Sequence, residues 1–387
     1  MPAICLLLAA SGNAQTSPQP SGQEDATAAY KSAAVLRTTT RLVVVDVVAT
    51  DSKGHPVGDL GIDDFAVLED NQPQKISGFS FRQISTLTEV QQPANPKVFS
   101  NAPRYSGSSS LNVILLDALN AEFLSRTYAR DQLLKYLESG PAIQPTAVYA
   151  LENTLKLLHD FTVDTKELKA VVENYRPRAP THVVDVYSAA TPYSQRGDYA
   201  TTSRSLEATV SALGALAQVL AGYPGRKNLI WLSAAFPLAI YPESYGNAVN
   251  PINTGNRTGE TPLHDIATQH NISGKVRSFS DEIERVANAM MNAQVAIYPV
   301  DCAGLGKNSR ATAASTMRVL AERTGGKTYV NRNDIEMAVR TSMDDGATYY
   351  TLEYYPENKN WDGKFRVIQV KTARPGVTLR NRQGYYA

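Results

Sequence analysis

Two aspartates follow short apolar runs in this chain, and their carboxylates are well suited to contact a ligand. Asp117 ends the run Asn112-Val-Ile-Leu-Leu-Asp117, and Asp301 ends the run Gln294-Val-Ala-Ile-Tyr-Pro-Val-Asp301. Such runs are typical of strands buried on both faces of a parallel sheet, and ligands of these sheets bind at the carboxyl ends of the strands. The sequence therefore predicts a ligand site at that edge; alternatively, each aspartate caps its own loop.

A divalent cation is the first ligand to consider at Asp117. Mg²⁺ and Ca²⁺ bind through oxygen atoms, and the side chains of Asn120 and Glu122 could supply oxygen atoms near that carboxylate. The intervening Leu119 and Ala121 are apolar and can supply none. Two interpretations follow. Asp117 belongs to a reduced ion site for Mg²⁺ or Ca²⁺, or it hydrogen-bonds to the backbone of the following loop.

The sequence lacks the motifs of the common enzyme classes. No glycine-rich phosphate loop follows the first apolar run, and neither Gly-x-Ser-x-Gly nor His-Glu-x-x-His occurs. The spacing of His264, Asp265 and His270 matches no zinc template. We therefore predict that the protein is not an enzyme; the alternative is a cell-envelope hydrolase that uses Asp117, Asp301 or His264.

Residues 176–203 follow a predicted helix, and residues 234–275 follow a predicted strand. Both segments are long and rich in Tyr, Asn, Ser, Thr and Gly. Tyrosine offers a large amphipathic contact area at a low cost in entropy. These segments predict a surface that binds a protein or a surface polymer, unless they are disordered. The tyrosines concerned are Tyr187, Tyr193, Tyr199, Tyr241 and Tyr245.

The composition is that of an ordinary globular protein. The 387 residues are enough for two domains with separate cores, and 43% are hydrophobic and 19% charged. The 38 basic and 37 acidic residues leave a formal net charge of +1, so no overall field favours nucleic acid or an anionic membrane.

The first residues resemble a secretory signal. The apolar run Ile4-Cys-Leu-Leu-Leu-Ala-Ala10 precedes small residues at Gly12 and Ala14, which predicts a signal peptide over 1–14 and a secreted or periplasmic protein. A cytosolic tail is the alternative. No later stretch approaches the roughly 20 apolar residues of a membrane span. Cleavage would leave Cys302 as a lone thiol, which we interpret as a small core residue.

The remaining chain alternates between two kinds of pattern. Residues 15–35 form a polar tether; 36–85 contain strands, including two over 65–81 around a turn at 69–73; and 86–110 form a linker. Strands then alternate with helices over 111–346, and strands return over 347–387. Because two or three strands are seldom stable alone, we predict that the two terminal parts form one β-sandwich with the α/β part inserted between them.

Within 111–346 the apolar periodicity predicts an open, mostly parallel sheet flanked by helices. A third apolar run, Asn228-Leu-Ile-Trp-Leu-Ser233, supplies another central strand. Strands are also predicted over 146–152, 155–161 and 327–330, and helices over 127–137, 164–175, 205–220, 280–291, 311–324 and 334–343.

Taken together, these residues resemble the von Willebrand factor type A (VWFA) family, and in particular its acidobacterial secreted variety. The stretches that produce the resemblance are Val113-Ile-Leu-Leu-Asp117 with Asn120, Tyr128-Ala-Arg-Asp131, Gly225-Arg-Lys-Asn-Leu-Ile-Trp-Leu-Ser233, Ile297-Tyr-Pro-Val-Asp301, Asp63-Asp-Phe65 and Arg382-Gln-Gly-Tyr-Tyr386. The resemblance implies a Rossmann-like α/β domain and covers most of the mature chain.

The resemblance also implies what a metal-ion-dependent adhesion site would need: Asp-x-Ser-x-Ser, a threonine from a later loop, and an aspartate after the fourth strand. Here Leu119 and Ala121 replace the two serines, and Ser233-Ala-Ala-Phe236 contains no acid. The candidate threonines are Thr181, Thr191, Thr201 and Thr202. The implied site is therefore degenerate.

The function implied is that of an extracytoplasmic, non-enzymatic binding or adhesion protein. Its partner would be a protein or a surface polymer, not nucleic acid, bound through loops at the carboxyl edge of the α/β sheet. The ligand-binding residues we predict are Asp117, Asn120, Glu122, Asp301, Tyr193, Tyr199, Tyr241 and Tyr245. Another interpretation is a structural module whose edge strands pair with a neighbour.

Overall fold

A computed structural model describes residues 41–83, 88–89, 105–106, 110–121, 123–140, 144–177, 195–234, 239–240, 277–278, 280–303 and 311–387. Contacts divide the chain after residue 40, and the second unit, 41–387, contains all the described residues. The predicted signal peptide (1–14) and tether (15–35) lie outside the described residues, so they remain predictions.

The strands and helices of the second unit are numbered in chain order. The strands are β1 Val43–Thr50, β2 Phe65–Glu69, β3 Gln72–Gln74, β4 Ile76–Gln83, β5 Thr88–Glu89, β6 Tyr105–Ser106, β7 Leu111–Asp117, β8 Thr146–Leu151, β9 Leu155–Thr162, β10 Lys227–Ser233, β11 Ala239–Ile240, β12 Arg277–Ser278, β13 Val295–Asp301, β14 Thr348–Tyr354, β15 Phe365–Thr372, β16 Thr378–Asn381 and β17 Gly384–Tyr386. The helices are α1 Phe123–Glu138, α2 Thr165–Asn174, α3 Gln195–Ala221, α4 Ser280–Asn292, α5 Ala311–Thr324 and α6 Ile335–Ala347.

A five-stranded sheet forms the centre of the α/β part, in the order β13-β10-β7-β8-β9. The pairings between β13, β10, β7 and β8 are parallel, and β9 is an antiparallel edge strand. The predicted mostly parallel sheet flanked by helices is thereby confirmed. At the other edge, the strand predicted over 327–330 is reduced to one parallel bridge between Tyr329 and Val300.

Helices cover both faces of this sheet because its strands are apolar on both sides. Val113 and Leu115 of β7 face a core to which α3, α4 and α5 contribute. Ile114, between them, faces a second core to which α1, α2 and α6 contribute. Side chains of a strand alternate between faces, so one continuous apolar run serves two cores.

The terminal strands form two further sheets, both antiparallel. Their orders are β16-β1-β14-β4 and β17-β15-β2-β3, so strands from the beginning of the chain pair with strands from its end. Val45, Tyr350 and Leu352 of the first sheet and Val67 and Ile368 of the second belong to one apolar cluster.

The sequence predicts two strands over 65–81, whereas the structure has three. β2 and β3 join through Asp70 and Asn71, whose φ angles of 48° and 66° are typical of a type I′ hairpin turn. The chain then leaves this sheet at Lys75, and β4 pairs with β14 in the other sheet. The apolar pattern continues without a break where the chain passes from one sheet to the other, so the sequence did not predict the third strand.

Other differences from the sequence are shifts of element bounds. Helix α3 begins at Gln195, whereas apolar spacing predicts a start at 205, and α1 begins at Phe123 rather than 127. Part of the predicted linker 86–110 is paired, because β5 and β6 form a two-stranded antiparallel sheet. Among the described residues, no helix is long and apolar enough to span a membrane.

Candidate functional site

A cavity of about 340 Å³ lies at the carboxyl ends of β7, β10 and β13. It adjoins the boundary between β7 and β10, the first and fourth strands of the sheet in chain order, where the order reverses. Ligands of open α/β sheets bind at such a switch point, and the volume lies within the roughly 300–1,000 Å³ of small-molecule sites. The lining residues are Leu116, Asp117, Ala118, Ala121, Phe123, Arg126, Thr127, Ala129, Arg130, Tyr175, Arg176, Pro177, Leu232 and Cys302.

Helices α1 and α2 form the parts of the cavity wall that the strands do not form. Ala129 and Leu133 bury one side of α1 against the sheet, and the first two turns of the helix line the cavity. α2 begins at its N-cap Asp164, whose side chain accepts a hydrogen bond from the Lys166 backbone at 2.8 Å. It ends before Tyr175, because the extended backbone there leads into Pro177.

Asp117 lies in the cavity wall, buried at the end of β7, and its carboxylate accepts five hydrogen bonds. Oδ1 accepts from the backbone N–H groups of Leu119 and Asn120 at 3.1 and 2.9 Å. Oδ2 accepts from Asn120 Nδ2 at 2.8 Å, Trp231 Nε1 at 3.1 Å and Ser233 Oγ at 2.7 Å. The carboxylate thus fixes its own loop and ties β7 to the end of β10.

Asn120 acts as a hydrogen-bond donor in this cluster. Its Nδ2 is 2.8 Å from Asp117 Oδ2 and 2.8 Å from Thr209 Oγ1. The Thr209 hydroxyl donates its single hydrogen to the Ser205 carbonyl oxygen at 2.7 Å, so it can only accept from Asn120. The amide N–H₂ group therefore points into the cluster, and the amide oxygen is directed away from the carboxylate.

Burial dominates the electrostatics of Asp117, and its charge attracts the guanidinium of Arg126. Burial raises the pKa of the Asp117 carboxyl, and hydrogen bonds from Ser233, Asn120 and Trp231 oppose that rise. Its donors are backbone N–H groups, an amide, an indole and a hydroxyl, all of which are neutral.

These residues do not fit a hard divalent cation. Such an ion needs several free oxygen ligands, whereas both oxygens of Asp117 already accept hydrogen bonds and Asn120 presents N–H groups. Leu119 and Ala121 are buried apolar side chains. In the described part of the chain, no group of three or more His, Cys, Asp or Glu residues could hold a metal ion.

Asp301 lies at the same edge of the sheet but not beside Asp117. Its strand β13 is separated from β7 by β10, which puts the two strands about 10 Å apart at the usual spacing. Asp301 Oδ1 accepts a hydrogen bond from the Ala303 backbone N–H at 2.9 Å. The neighbouring Cys302 lines the cavity, and burial raises the pKa of its thiol well above the usual value. The thiol form, which is a poor nucleophile, is therefore favoured.

Sequence reasoning did not single out the three arginines of the cavity, Arg126, Arg130 and Arg176. The sequence feature that could have pointed to a cationic site is the spacing of Arg126 and Arg130, which lie four residues apart in a helix that follows Asp117. Residues at this spacing are neighbours on a helix surface, and like charges there repel each other. Trp231, Ser233 and Thr209 were also missed as partners of Asp117 and Asn120.

Several predicted site residues lie outside the part of the chain whose side chains are described. Glu122, Tyr193, Tyr241, Tyr245, Thr181, Thr191 and His264 lie outside the described residues. Tyr199, Thr201 and Thr202 lie in α3, where only the backbone is described at these positions. Their roles remain predictions.

No protein-family model matches the chain, and no curated protein matches it. Among solved structures, it is similar to a von Willebrand factor type A protein from Catenulispora acidiphila, with 9% identity, 89% of this chain and 73% of that chain covered, and a TM-score of 0.35. It is also similar to an aerotolerance-related membrane protein from Bacteroides fragilis, with 10% identity, 61% of this chain and 99% of that chain covered, and a TM-score of 0.34.

A third likeness is to proximal thread matrix protein 1 from the mussel byssus, whose structure has a zinc-occupied MIDAS motif. The identity is 8%, the match covers 62% of this chain and 48% of that chain, and the TM-score is 0.32. The chain therefore spans less than half of that protein's length. The strand order defines the architecture, and the geometry around Asp117 defines the site.

Proposed function

We propose that this chain is a non-enzymatic binding module of the von Willebrand factor type A kind. It recognises a protein or a surface polymer at the carboxyl edge of its central sheet. The observation behind this proposal is the cavity at the ends of β7, β10 and β13, beside the switch point of the sheet. We further propose an extracytoplasmic location, a place among the acidobacterial secreted variety, and insertion of 111–346 between the two halves of a β-sandwich.

Exposed apolar side chains at the edge of the cavity support a binding role. Phe123 and Leu124, at the start of α1, are 71% and 76% exposed. Adjacent exposed apolar residues beside a cavity are typical of a surface that a partner covers. The predicted tyrosine-rich segments begin at Arg176 and Ala234, and we propose that they enlarge the contact area.

The chemistry of the cavity favours binding over catalysis. Among the described lining residues, the one carboxylate, Asp117, already accepts five hydrogen bonds, and the one thiol, Cys302, has a raised pKa. A hydrolase needs an accessible nucleophile within hydrogen-bond reach of a base; the Ser233 hydroxyl donates to Asp117 but is buried, and the described lining residues contain no such pair. The degenerate metal site leads us to propose that recognition does not depend on a metal ion.

The test compares two single changes at opposite edges of the sheet. Leu124→Glu places a charge beside the cavity, whereas Val219→Glu places one near the end of α3, at the opposite edge; Val219 is also exposed, at 48%. The immobilised full chain and both variants are incubated with a cell-envelope extract, and the retained protein and polysaccharide are quantified.

We expect the wild type and Val219→Glu to retain the same partner, and Leu124→Glu to retain at least about tenfold less, since buried apolar contacts dominate binding. Equal retention by Leu124→Glu, with unchanged thermal unfolding, would contradict recognition at this edge.

A further inference from the structure

We propose that the cavity binds an acidic side chain of a partner protein, presented next to an apolar side chain, and that Arg126 with Arg130 receives its carboxylate. This inference rests on the proposed function and specifies the partner's chemistry. It differs from recognition through a metal ion, because the partner's carboxylate contacts guanidinium groups directly.

The charge of the cavity wall supports an anionic ligand. Among the described lining residues, the charged groups are Arg126, Arg130, Arg176 and Asp117, three positive against one negative. Asp117 attracts Arg126 electrostatically, but among the described residues it accepts hydrogen bonds from neutral donors and from no arginine. An incoming carboxylate would reduce the repulsion among the arginines.

Arg126 is the arginine best placed to receive that carboxylate. Its Nη1 donates to the Ala118 carbonyl oxygen at 3.3 Å, which holds the side chain against the loop after β7. Its Nε is buried, and no atom of the described residues accepts a hydrogen bond from it. A buried donor without an acceptor is unfavourable, so a ligand oxygen that reaches this N–H after a small rotation of the side chain is bound more tightly. A guanidinium can donate to a carboxylate through two parallel N–H groups.

Arg130 lies one helical turn further along α1 and also has an Nε without a hydrogen-bond partner among the described residues. Its only ion pair in that part of the chain is a long one, 3.7 Å to Asp131, whose side chain is half exposed. Exposed pairs of this kind contribute little, so Arg130 is available to an anion. Arg176 donates to the carbonyl oxygens of Glu173 and Tyr175 at 2.6 and 3.1 Å and supplies positive charge at the rim.

The apolar part of the wall explains why the acid should be next to an apolar side chain. Leu116 and Leu232 line the cavity from the sheet, Ala121 from the loop after β7, and Ala129 and the exposed Phe123 from α1. Leu124, beside Phe123, is exposed but does not line the cavity. A small free acid would leave Leu124 uncovered, whereas a protein segment would cover both residues, which favours a protein as the source of the carboxylate.

The experiment uses two peptides that differ in one charge. The probe is acetyl-Gly-Phe-Glu-Phe-Gly-amide, and its control has Gln in place of Glu. Binding to the full chain is measured by ligand-observed NMR titration, with 4-phenylbutyrate as a free acid in a third arm. We expect the Gln peptide to bind at least about tenfold more weakly than the Glu peptide, as for the loss of one charge-assisted hydrogen bond. We expect 4-phenylbutyrate to bind more weakly than the Glu peptide.

Protein variants test whether Arg126 binds the carboxylate of the Glu peptide. Arg126→Gln should weaken the Glu peptide by about tenfold and leave the Gln peptide unchanged, because only the charged contact is lost. Arg285→Gln is the matched control, since Arg285 is 73% exposed on α4, away from the cavity. Its affinity should equal that of the wild type.

Equal affinities for the two peptides would overturn the proposal without any protein variant, so misfolding of Arg126→Gln cannot leave it untested. Tighter binding of 4-phenylbutyrate than of the Glu peptide would overturn the protein segment as the source. If Leu124→Glu still abolishes partner retention while the two peptides bind equally, the acidic ligand is wrong and the proposed function stands. If Leu124→Glu has no effect, the proposed function itself fails.

Discussion

Two buried carboxylates in this molecule accept hydrogen bonds from different kinds of donor. Glu69, in the terminal sheets, accepts from Arg366 Nη1 at 3.1 Å and from the hydroxyls of Tyr354 and Tyr385 at 2.7 and 2.9 Å. Among the described residues, Asp117 in the α/β part accepts hydrogen bonds from neutral donors only. One carboxylate is therefore hydrogen-bonded to a cation and the other to neutral groups.

The surroundings of the two carboxylates differ accordingly. The side chains of Arg366 and Glu69 are 3% and 2% exposed, and Arg366 also donates to the Asn358 carbonyl oxygen at 2.7 Å. Asp117 adjoins the 340 Å³ cavity, and none of the arginines among its described lining residues donates a hydrogen bond to it. The charges of the terminal sheets thus complete a core, whereas those at the carboxyl edge remain available to a ligand.

The largest expected effect comes from removing the cation of the Glu69 cluster. Arg366→Met leaves a buried carboxylate without its ion-pair partner, which typically lowers the free energy of unfolding by about 3–5 kcal/mol. Urea unfolding of the full chain, followed by circular dichroism, measures the loss.

The double variant Arg366→Met with Glu69→Gln is the control for that prediction. Glu69→Gln removes the unpaired charge and keeps an oxygen that accepts from the hydroxyls of Tyr354 and Tyr385, so the second change should recover most of the lost stability. A loss of less than about 1 kcal/mol for Arg366→Met alone, the value usual for exposed pairs, would show that Glu69 does not depend on a cation and would remove the contrast with Asp117.

Substitution of Asp117 should have a smaller effect on the free energy of unfolding, and this effect should depend on pH. Asp117→Asn keeps the size of the side chain but replaces one acceptor oxygen by an N–H₂ group, which leaves buried donors such as Trp231 Nε1 or Ser233 Oγ without an acceptor. We expect the free energy of unfolding to fall by about 1–3 kcal/mol.

The sign of the pH dependence follows from the raised pKa of Asp117. In the unfolded chain an aspartate titrates near about 3.9, so between that pH and the higher folded pKa the folded state binds the additional proton. This contribution to stability is complete below the unfolded pKa and is lost as the pH rises through the folded pKa. The destabilisation by Asp117→Asn should therefore be larger at pH 4 than at pH 7. A destabilisation that grows with pH would mean that the carboxylate is ionised throughout.

The sequence predicted that Asp117 lies at the carboxyl end of a central strand. It did not predict which residues form hydrogen bonds with Asp117 or Glu69. The run that ends at Asp117 identifies a central strand and its carboxyl end, because continuous apolar residues need two covered faces. The partners of Asp117 are far along the chain: Trp231 and Ser233 are 114 and 116 residues away. Glu69 and Arg366 are 297 residues apart. Neither pairing has a local signal.

The arginines of the cavity illustrate a different difficulty. Arg126 and Arg130 are visible in the sequence at helical spacing, yet such charges usually lie on a solvated face. Only the end of α2 at Tyr175, which brings Arg176 and Pro177 to the same cavity, indicates that this face of α1 borders an enclosed space. That approach is a tertiary contact between separate helices, and the sequence pattern does not contain it.

The smallest expected effect tests whether Asp117 has an unseen cation after all. Addition of millimolar Mg²⁺, Ca²⁺ or Mn²⁺ to the full chain should leave the thermal unfolding midpoint unchanged, because an ion that binds the native state must raise it. The oxygens of Asp117 already accept five hydrogen bonds, and a cation would have to displace neutral donors that the fold positions there. A rise in the midpoint that disappears in Asp117→Ala would make Asp117 a metal ligand. Its cation would then come from solution, as that of Glu69 comes from Arg366, and the contrast between the two carboxylates would vanish.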